Sequence, residues 1–204
     1  MSCTESIHNA SPGMMRPVLH VEGSALVLDD VYWGYQAPWA MGKVPVAINA
    51  SMDKLAGRYW AHRSKAVAAS CLRTAGTNAV GRRGKKQPWH IHRADGQLLY
   101  IVALACLAPQ SKDAPPALGG FALLTADAEG GMVDIHDRSP VMLTAADAAT
   151  WMNPELSGEQ AAKLARNMAL GPAQFSWHMV DRAISNSRNQ GEVLARAITT
   201  PYDS

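Results

Sequence analysis

Short apolar runs separated by turn residues occupy most of this chain. Runs of this length, bounded by Gly, Pro, Asn or Asp and in places alternating apolar with polar residues, are typical of β-strands. The pattern predicts strands at residues 18–21, 25–28, 31–33, 67–72, 89–93, 98–107, 121–125 and 175–180. The segment 98–107 is apolar almost throughout, so we expect it to form a central strand of a sheet.

Helical patterns are fewer. The first helical candidate covers residues 53–66. Further along, Thr144 with Asp147 and Ser157 with Gln160 have the spacing of a capping box, in which two side chains satisfy amides of the first helical turn. Each pair therefore predicts the start of a helix.

The connections between the predicted strands indicate the fold class. The dipeptide Asp95-Gly96, between two of these strands, is a strong short-range signal for a β-hairpin. Because strands outnumber helices and short turns join them, the sequence predicts an α+β fold: a single β-rich domain over residues 1–204, mainly antiparallel, with a few peripheral helices. Residues 1–13 are polar and turn-rich, and we expect a mobile N-terminal segment or one that lies on the surface.

The composition favours a protein of the reducing cytoplasm. The chain has 204 residues of which 48% are hydrophobic, which is enough for a core without staples, and its three cysteines are odd in number and widely spaced. We find neither the charged start and apolar run of a signal peptide nor a stretch of about 18 apolar residues that could span a membrane. The net charge of +2 does not by itself indicate a nucleic-acid partner.

The densest candidate chemistry is the trio His136, Asp137 and Arg138, which stands between two apolar segments. A polar trio in such a place is where folds often present functional side chains. An imidazole can act as an acid or a base near neutral pH, and a guanidinium, which keeps its charge, suits phosphate. The alternative is a turn with a surface ion pair, which we would favour for an isolated trio.

Other polar groups admit two interpretations each. His90 and His92 share one face of a predicted strand and could ligate a metal, but no Cys, Asp or Glu beside them completes a ligand set, so we favour half-exposed strand histidines. The basic turn at 82–86 could clamp phosphates or simply be solvated. Four tryptophans could stack on bases, although aromatic residues on strands more often belong to the core: Trp33, Trp39, Trp60 and Trp89.

Cys3 is the candidate nucleophile. Cys71 and Cys106 lie in apolar runs and are expected to be inert core thiols, whereas Cys3 is exposed by its place near the N-terminus. A thiol beside a free α-amine can capture an aldehyde, because the amine forms an imine and the sulfur then closes a ring. This chemistry requires Cys3 to be the first residue of the mature chain.

Several segments of the chain have the sequences of known motifs. The long ones lie in the C-terminal half: GGFALLTADAEGGMVDIHDRSPVML (119–143), ELSGEQAAKLA (155–165) and QFSWHMVDRAISNSRNQG (174–191). The shorter ones come earlier: WGYQAPW (33–39), INA (48–50) and KKQP with RADG (85–96). With these motifs most of the chain resembles the SOS response-associated peptidase (SRAP) family, the abasic-site processing proteins, and its C-terminal half resembles bacterial members almost segment for segment. The resemblance implies a SRAP-like fold.

The resemblance also implies a function. Family members bind single-stranded DNA at an abasic site, where an N-terminal cysteine condenses with the sugar aldehyde to a stable thiazolidine crosslink. A glutamate and the histidine of the H-D-R motif assist the proton transfers, and the peptidase name refers to a proposed self-processing of the N-terminus. The expected partner is therefore single-stranded DNA with abasic sites. No cofactor, metal, membrane or protein partner is implied, and we expect a monomer.

Carried over residue by residue, the resemblance assigns candidate site residues. The catalytic positions are Cys3, His136 as acid or base, and Asn78 in the place of the family glutamate. The positions that hold phosphates or stack against the DNA strand are Asn49, Thr125, Arg138, Trp33, Pro38, Trp39, Arg82, Lys85 and Lys86. We expect a positively charged groove that is lined by Asn49, the basic turn at 82–86, His136, Arg138 and Arg188.

Three departures from the family pattern affect the predicted chemistry. The family opens Met-Cys, whereas Ser2 here stands before Cys3; Ser51 replaces the arginine of the I-N-A-R segment; and Asn78 cannot take a proton. We therefore keep three hypotheses: abasic-site sensing with weakened or lost crosslinking, a module that binds single-stranded DNA without chemistry, and a self-processing peptidase that exposes Cys3.

Overall fold

The computed structural model describes residues 7–40, 42–55, 57, 59–60, 64–69, 77–80, 87–107 and 120–200, with the backbone alone for 64–69, 77–80 and Pro38. Eleven strands and two α-helices lie in this part of the chain, as expected for the predicted α+β fold. Four predicted site residues lie outside the described residues, namely Cys3, Arg82, Lys85 and Lys86, as does Cys71, which was expected to be a core thiol.

Strands make up most of the regular structure. They are β1 (Met15–Glu22), β2 (Ala25–Tyr32), β3 (Asn49–Ser51), β4 (Ser64–Ala69), β5 (Thr77–Val80), β6 (Gln87–Arg93), β7 (Tyr100–Cys106), β8 (Gly120–Asp127), β9 (Arg138–Pro140), β10 (Met142–Leu143) and β11 (Phe175–Met179). Eight of them form one sheet with the order β2-β1-β4-β7-β8-β3, in which β10 also pairs with β7 and β9 with β8. A second sheet has the order β11-β6-β5. Every strand pair is antiparallel except β3 with β8. The central strand predicted at 98–107 is confirmed as β7.

The segment that contains β9 and β10 enters the large sheet between β7 and β8. β9 pairs with the end of β8, and β10 pairs with the start of β7. Val141, which joins them, donates its N–H to the carbonyl of Leu124 and accepts a hydrogen bond from the N–H of Val102. This insertion fixes Arg138 directly opposite Asp127.

Two apolar clusters cover the two faces of the large sheet. One face packs against the helices, and its core contains the buried Trp151, Leu124 and Leu143. The opposite face contains Phe121 and Leu123. Because successive side chains of a strand point to opposite faces, the uninterrupted apolar run of β8 supplies both clusters.

A third cluster connects the small sheet to the segment 130–136. Met132 packs there with Ile91 of β6. Gly131 allows a close approach, since a β-carbon on it would lie 2.9 Å from the ring of Trp177 in β11. The small sheet therefore supports the chain that leads to the candidate trio.

Both helix starts predicted from capping patterns are confirmed, as α1 (Ala145–Trp151) and α2 (Gly158–Met168). Ser157 and Gln160 exchange both bonds of a capping box, at 3.2 and 2.8 Å. Thr144 accepts the N–H of Asp147 at 3.2 Å, but the Asp147 carboxylate accepts the threonine hydroxyl at 2.7 Å instead of a backbone amide. Neither α-helix of the described part has the length and apolar character needed to cross a membrane.

The helix predicted at 53–66 is wrong. Its first residues belong to a short 3-10 helix, Met52–Lys54, and its last residues belong to β4. Between them the rings of Tyr59 and Trp60 pack on Tyr35 with centroid separations of 5.7 and 5.5 Å. Burial of this aromatic group outweighs the local preference for helix.

The hairpin predicted at Asp95-Gly96 is also wrong, although the turn is present. Gly96 has a φ of +69°, and its N–H donates to the carbonyl of Arg93 at 3.1 Å. The flanking strands do not pair, because β6 lies between β5 and β11 in the small sheet and β7 lies in the large sheet. Arg93 donates to the Asp95 carboxylate at 2.9 Å, which fixes a turn that carries the chain from one sheet to the other.

Candidate functional site

One face of β3, β8 and β9 carries a row of polar side chains. Ser51 lies opposite Thr125, Asp127 lies opposite Arg138, and Asn49 precedes Ser51 by two residues. Directly paired residues share a face of a sheet, as do residues two apart on one strand. The register therefore brings together five side chains, and we call this set the polar face.

Arg138 is the centre of the polar face. Its Nη2 donates to the hydroxyl of Ser51 at 2.9 Å, to the carbonyl of Thr125 at 2.8 Å and to the Thr125 hydroxyl at 3.3 Å. Its Nη1 donates to the Asp127 carboxylate at 2.6 Å and lies 4.0 Å from a carboxylate oxygen of Asp53. The arginine side chain is 29% exposed. It is thus fixed in place and can still be reached from solvent.

His136 is tied to the start of β9. The backbone N–H of Arg138 donates to Nδ1 of His136 at 3.0 Å, and a carboxylate oxygen of Asp137 lies 2.7 Å from the same nitrogen. The first contact needs a lone pair on Nδ1 and the second needs a proton there, so the ring makes one of them at a time. When Nδ1 accepts the backbone N–H, the neutral ring carries its proton on Nε2, on a side chain that is 48% exposed. His136 is therefore placed to exchange protons with a bound molecule.

Trp33 lies at one end of the polar face. Its ring stacks on Phe121 with a centroid separation of 5.9 Å and an interplanar angle of 15°. Its Nε1–H donates at 3.0 Å to the carbonyl of Ile48, the residue before Asn49. A half-buried aromatic surface thus adjoins the exposed amide of Asn49.

Trp39 belongs to a different aromatic group. It is 57% exposed, and its ring meets that of Tyr59 edge-on at 5.7 Å. Pro38, whose backbone alone is described, begins the 3-10 helix that contains Trp39. Within the described part of the chain, ring contacts therefore do not join Trp33 to Trp39, and a common role of the two against DNA stays a prediction.

A cavity of about 510 Å³ lies beside this second aromatic group. Its lining includes Val44, Pro45, Tyr59, Trp60, Asp53 and Lys54. Asp53 is also the carboxylate 4.0 Å from Arg138, so the cavity adjoins the polar face.

Asn78 lies in the small sheet. It is in β5, where its backbone pairs with Trp89 of β6. Trp89 packs against the cluster that contains Met132 and Ile135, which support the chain before His136. The backbone of Asn78 is thus one strand away from that support, and its catalytic role stays a prediction.

The described start of the chain is bound to the loop that carries Arg188. The side chain of Asn9 donates to the carbonyl of Ile184 at 2.8 Å, and the Gln190 side chain accepts the N–H of His8 at 3.0 Å. Further along, Gly13 donates its N–H to the carbonyl of Trp33 at 2.9 Å. The N-terminal segment therefore runs from this loop to the tryptophan beside the polar face.

Sequence reasoning missed two functional candidates. Ser51 was considered only as the loss of an arginine, yet its hydroxyl binds Arg138. Asp127 was not singled out, because the strand was predicted to end at Thr125. Extending the two-residue alternation of β8 by one step would have placed Asp127 on the same face as Thr125.

Three histidines meet on the small sheet. The rings of His90, His92 and His178 have centroid separations of 5.2 to 5.8 Å. Burial, followed by the charges of His178 and His92, lowers the pKa of His90 to about 4. The His178 ring also binds the carbonyl of Ala195 at 2.9 Å through Nε2. In the described part of the chain, no group of three or more His, Cys, Asp or Glu side chains could hold a metal ion.

Known proteins resemble this chain over nearly its whole length. Residues 2–187 match the family model "SOS response associated peptidase (SRAP)". The abasic site processing protein YedK of Escherichia coli (strain K12) is 35% identical over 196 residues, which cover 94% of this chain and 84% of YedK.

Solved structures share the fold. A phage-related protein from Bordetella bronchiseptica is 27% identical and superimposes with a TM-score of 0.70, covering 85% of this chain and 81% of that chain. A protein from Bacteroides thetaiotaomicron has the same TM-score at 16% identity, covering 92% and 82%, which shows the fold alone. Since the family model spans most of the chain and the E. coli relative supports it, the chain belongs to the SOS response associated peptidase (SRAP) family.

Proposed function

We propose that this protein recognises abasic sites in single-stranded DNA on the polar face. The observation that carries the proposal is a half-exposed imidazole, His136, beside an arginine, Arg138, that Ser51 and Thr125 hold in place. A proton-transfer group next to a fixed phosphate-binding group suits a damaged nucleotide. Membership of the family and the similarity to the abasic site processing protein of E. coli support this substrate.

The polar face has groups for the DNA backbone. A guanidinium has five N–H donors, and the bonds to Asp127, Ser51 and Thr125 leave donors on Nε and Nη1 for a phosphate. The exposed amide of Asn49 can contact the backbone at the other end. The ring of Trp33, supported by Phe121, can stack on a base. These contacts would position a strand without reading its sequence.

The proposed chemistry takes place at the aldehyde of the opened abasic sugar. A primary amine adds to this carbon and loses water to give an imine. The neighbouring thiol then adds across the C=N bond and closes the thiazolidine ring. His136 can deliver the proton that leaves with the water from its Nε2 and regain one from solvent. Cys3 can supply both amine and thiol only when it is the first residue.

The departures from the family pattern predict a slower covalent step. Asn78 can hydrogen-bond to the sugar but cannot accept its proton, so one of two acid–base groups is missing. Ser51 gives Arg138 a neutral partner and adds no charge of its own. Ser2 makes the nitrogen of Cys3 an amide unless it is removed. We therefore propose binding at abasic sites with weak crosslinking.

A denaturing gel tests this proposal. The protein is incubated with single-stranded DNA that carries one abasic site, beside Cys3→Ala and beside an undamaged strand. A variant without Ser2, in which Cys3 directly follows the initiator methionine, restores the family N-terminus. We expect a faint shifted band for the unchanged protein, a stronger band for the Ser2 deletion and none for Cys3→Ala or undamaged DNA.

Intact mass and a native gel complete the test. The mass of the purified protein shows which residue begins the chain, so self-processing that removes Met1 and Ser2 is detected directly. On the native gel we expect retardation of the abasic strand. If neither abasic nor undamaged DNA is retarded, the proposed function is wrong.

A second candidate function is binding without chemistry. The observation that favours it is the simultaneous presence of Ser2 before Cys3 and of Asn78 in the glutamate position. It predicts retardation on the native gel and no shifted band on the denaturing gel, even after deletion of Ser2. A shifted band after deletion of Ser2 would exclude this second function and would show that Ser2 causes the low reactivity of the unchanged protein.

A further inference from the structure

Arg138 has two kinds of partner on the polar face. The hydroxyl of Ser51 and the backbone and hydroxyl of Thr125 bind Nη2; both groups are neutral and partly or fully buried. Asp127, which binds Nη1 at 2.6 Å, is charged, and its side chain is 81% exposed. The neutral partners therefore anchor the guanidinium, while the charged partner occupies the side that solvent reaches.

The pairing of Asp127 with Arg138 is built into the backbone. The two residues are direct partners in the register of β8 and β9. The next bond, from the N–H of Ala128 to the carbonyl of Asp137 at 2.9 Å, closes the end of this strand pair. The carboxylate consequently stays within reach of the guanidinium whatever else is bound.

Carboxylate and phosphate are the two anions that a guanidinium binds through the same N–H groups. A phosphate that binds Nη1 of Arg138 must share this nitrogen with the Asp127 carboxylate, and an oxygen of Asp53 lies 4.0 Å from the same atom. The exposed ion pair of Asp127 with Arg138 is weak, so a phosphate can displace the carboxylate. The free energy needed to displace it lowers the affinity for DNA.

We propose that Asp127 competes with the DNA backbone for Arg138 and so determines the affinity of the polar face for single-stranded DNA. Asp127 acts through Arg138 and is a positioning residue. The proposal rests on the proposed function, since it names a residue that regulates the same site. Its consequence is that undamaged strands, which offer only phosphates and bases, are held weakly.

The test is the affinity of undamaged, dye-labelled single-stranded DNA, measured by fluorescence anisotropy over a range of salt concentrations. Asp127→Asn removes the competing charge and keeps the size of the side chain. Asp134→Asn is the matched control, because Asp134 is an exposed carboxylate of the adjacent segment and the change of charge is the same. Asp127→Glu keeps the charge and should behave as the unchanged protein does.

We expect Asp127→Asn to bind about five- to tenfold more tightly at low salt, and Asp134→Asn by about twofold or less. The salt slope should become steeper for Asp127→Asn, by at most the value of about 0.7 for one phosphate contact on a single strand, because Arg138 then makes in full a contact that Asp127 otherwise limits. A merely structural role of Asp127 would not steepen this slope. In an Arg138→Ala background the gain from Asp127→Asn should fall to that of Asp134→Asn, because the group for which the anions compete is absent.

Two outcomes would overturn the inference alone. In one, the unchanged protein binds DNA, and Asp127→Asn and Asp134→Asn raise the affinity equally. In the other, the gain from Asp127→Asn over Asp134→Asn persists without Arg138. If the unchanged protein and every variant fail to bind abasic and undamaged DNA, the proposed function is wrong and the inference falls with it.

Discussion

The backbone N–H of Arg138 donates to Nδ1 of His136 at 3.0 Å. This bond fixes the imidazole relative to the start of β9, and the Arg138 side chain is itself fixed by Ser51 and Thr125. The His136 ring and the Arg138 guanidinium are therefore fixed in position relative to each other. A phosphate bound to the guanidinium would bring the adjoining sugar towards the ring. Because one residue binds and the other transfers protons, mutations can affect the two functions separately.

His136→Ala should lower the rate of crosslinking by about 100-fold or more, the usual contribution of a general acid or base. DNA affinity should change little, because the guanidinium of Arg138 and its side-chain partners remain. The rate is measured by quenched gels at saturating abasic DNA, with the Ser2 deletion as the parent if its band is stronger, and the affinity by anisotropy. Asp137→Asn, which keeps the imidazole, is the control. An equal loss of rate and affinity would contradict an acid–base role.

Arg138→Ala should weaken binding of single-stranded DNA by up to about tenfold at low salt and make the salt slope shallower by at most about 0.7. The physical reason is the loss of one phosphate contact and of the counterion that it releases. Arg166→Ala is the matched control, since Arg166 is an exposed arginine of α2, away from the polar face. An unchanged slope would remove Arg138 from the path of the phosphates.

Asn78→Glu should increase the crosslinking rate by about tenfold or more, because it supplies the carboxylate that acts beside the histidine in the family pattern. Asn78→Gln is the control, since it has the same length as glutamate and cannot take a proton. Single-turnover rates of both variants are compared in the Ser2-deleted chain. Equal rates for Asn78→Glu and Asn78→Gln would mean that position 78 does not take part in the reaction.

Strand patterns and family motifs predicted much of this fold, and the misses have physical causes. Alternation located β6 and β11, and an apolar run located β8. The Asp95-Gly96 turn could not reveal that β6 and β7 lie in different sheets, because a turn constrains only its own residues. The helix expected at 53–66 does not form, because Tyr59 and Trp60 pack on Tyr35 instead. A local sequence pattern does not reveal such a contact.

The sequence predicted individual residues of the candidate site but not the contacts between them. His136 and Arg138 were identified from their motif. Their connection to Ser51 and Asp127 depends on the parallel pairing of β3 with β8 and on the entry of β9 beside β8. Such contacts join residues far apart in the chain, so a single sequence does not contain them.

The three-histidine cluster should make stability depend on pH. Burial among two other imidazoles lowers the pKa of His90 from its ordinary 6.5 to about 4. Between these values the unfolded chain binds a proton that the native protein does not bind. The stabilisation is therefore fully present above pH 6.5 and is lost as the pH falls towards 4. We expect a loss of about 1–2 kcal/mol, reduced from the full value because solvent reaches His92 and His178.

Urea unfolding at pH 7.5 and pH 5 measures this effect. His90→Phe should reduce the difference in unfolding free energy between the two pH values, since phenylalanine has no proton to bind. His8→Gln, which removes a histidine outside the cluster, should leave the difference unchanged. The same pH dependence in His90→Phe as in the unchanged protein would show that other groups cause it.

The close approach of Gly34 and Gly120 should make the large sheet intolerant of a side chain at position 120. Gly120 has a φ of +148°, and a β-carbon on it would lie 2.1 Å from the carbonyl oxygen of Gly34. The N–H of Gly34 donates to the carbonyl of Phe121 at 2.9 Å, so the segments that contain Gly34 and Gly120 cannot move apart without losing this hydrogen bond. Gly120→Ala should therefore lower the free energy of unfolding by about 3–4 kcal/mol.

Gly158→Ala provides the comparison, because Gly158 begins α2 and a β-carbon there would meet nothing within 4 Å. This variant should be neutral or slightly more stable, within about 0.5 kcal/mol, since alanine favours helix. Urea midpoints followed by circular dichroism measure both variants. Because β8 carries Thr125 and Asp127, a destabilised Gly120→Ala should also bind DNA less well at temperatures where it begins to unfold. Similar unfolding free energies for both variants would mean that the backbone at Gly120 relaxes away from Gly34 at little cost.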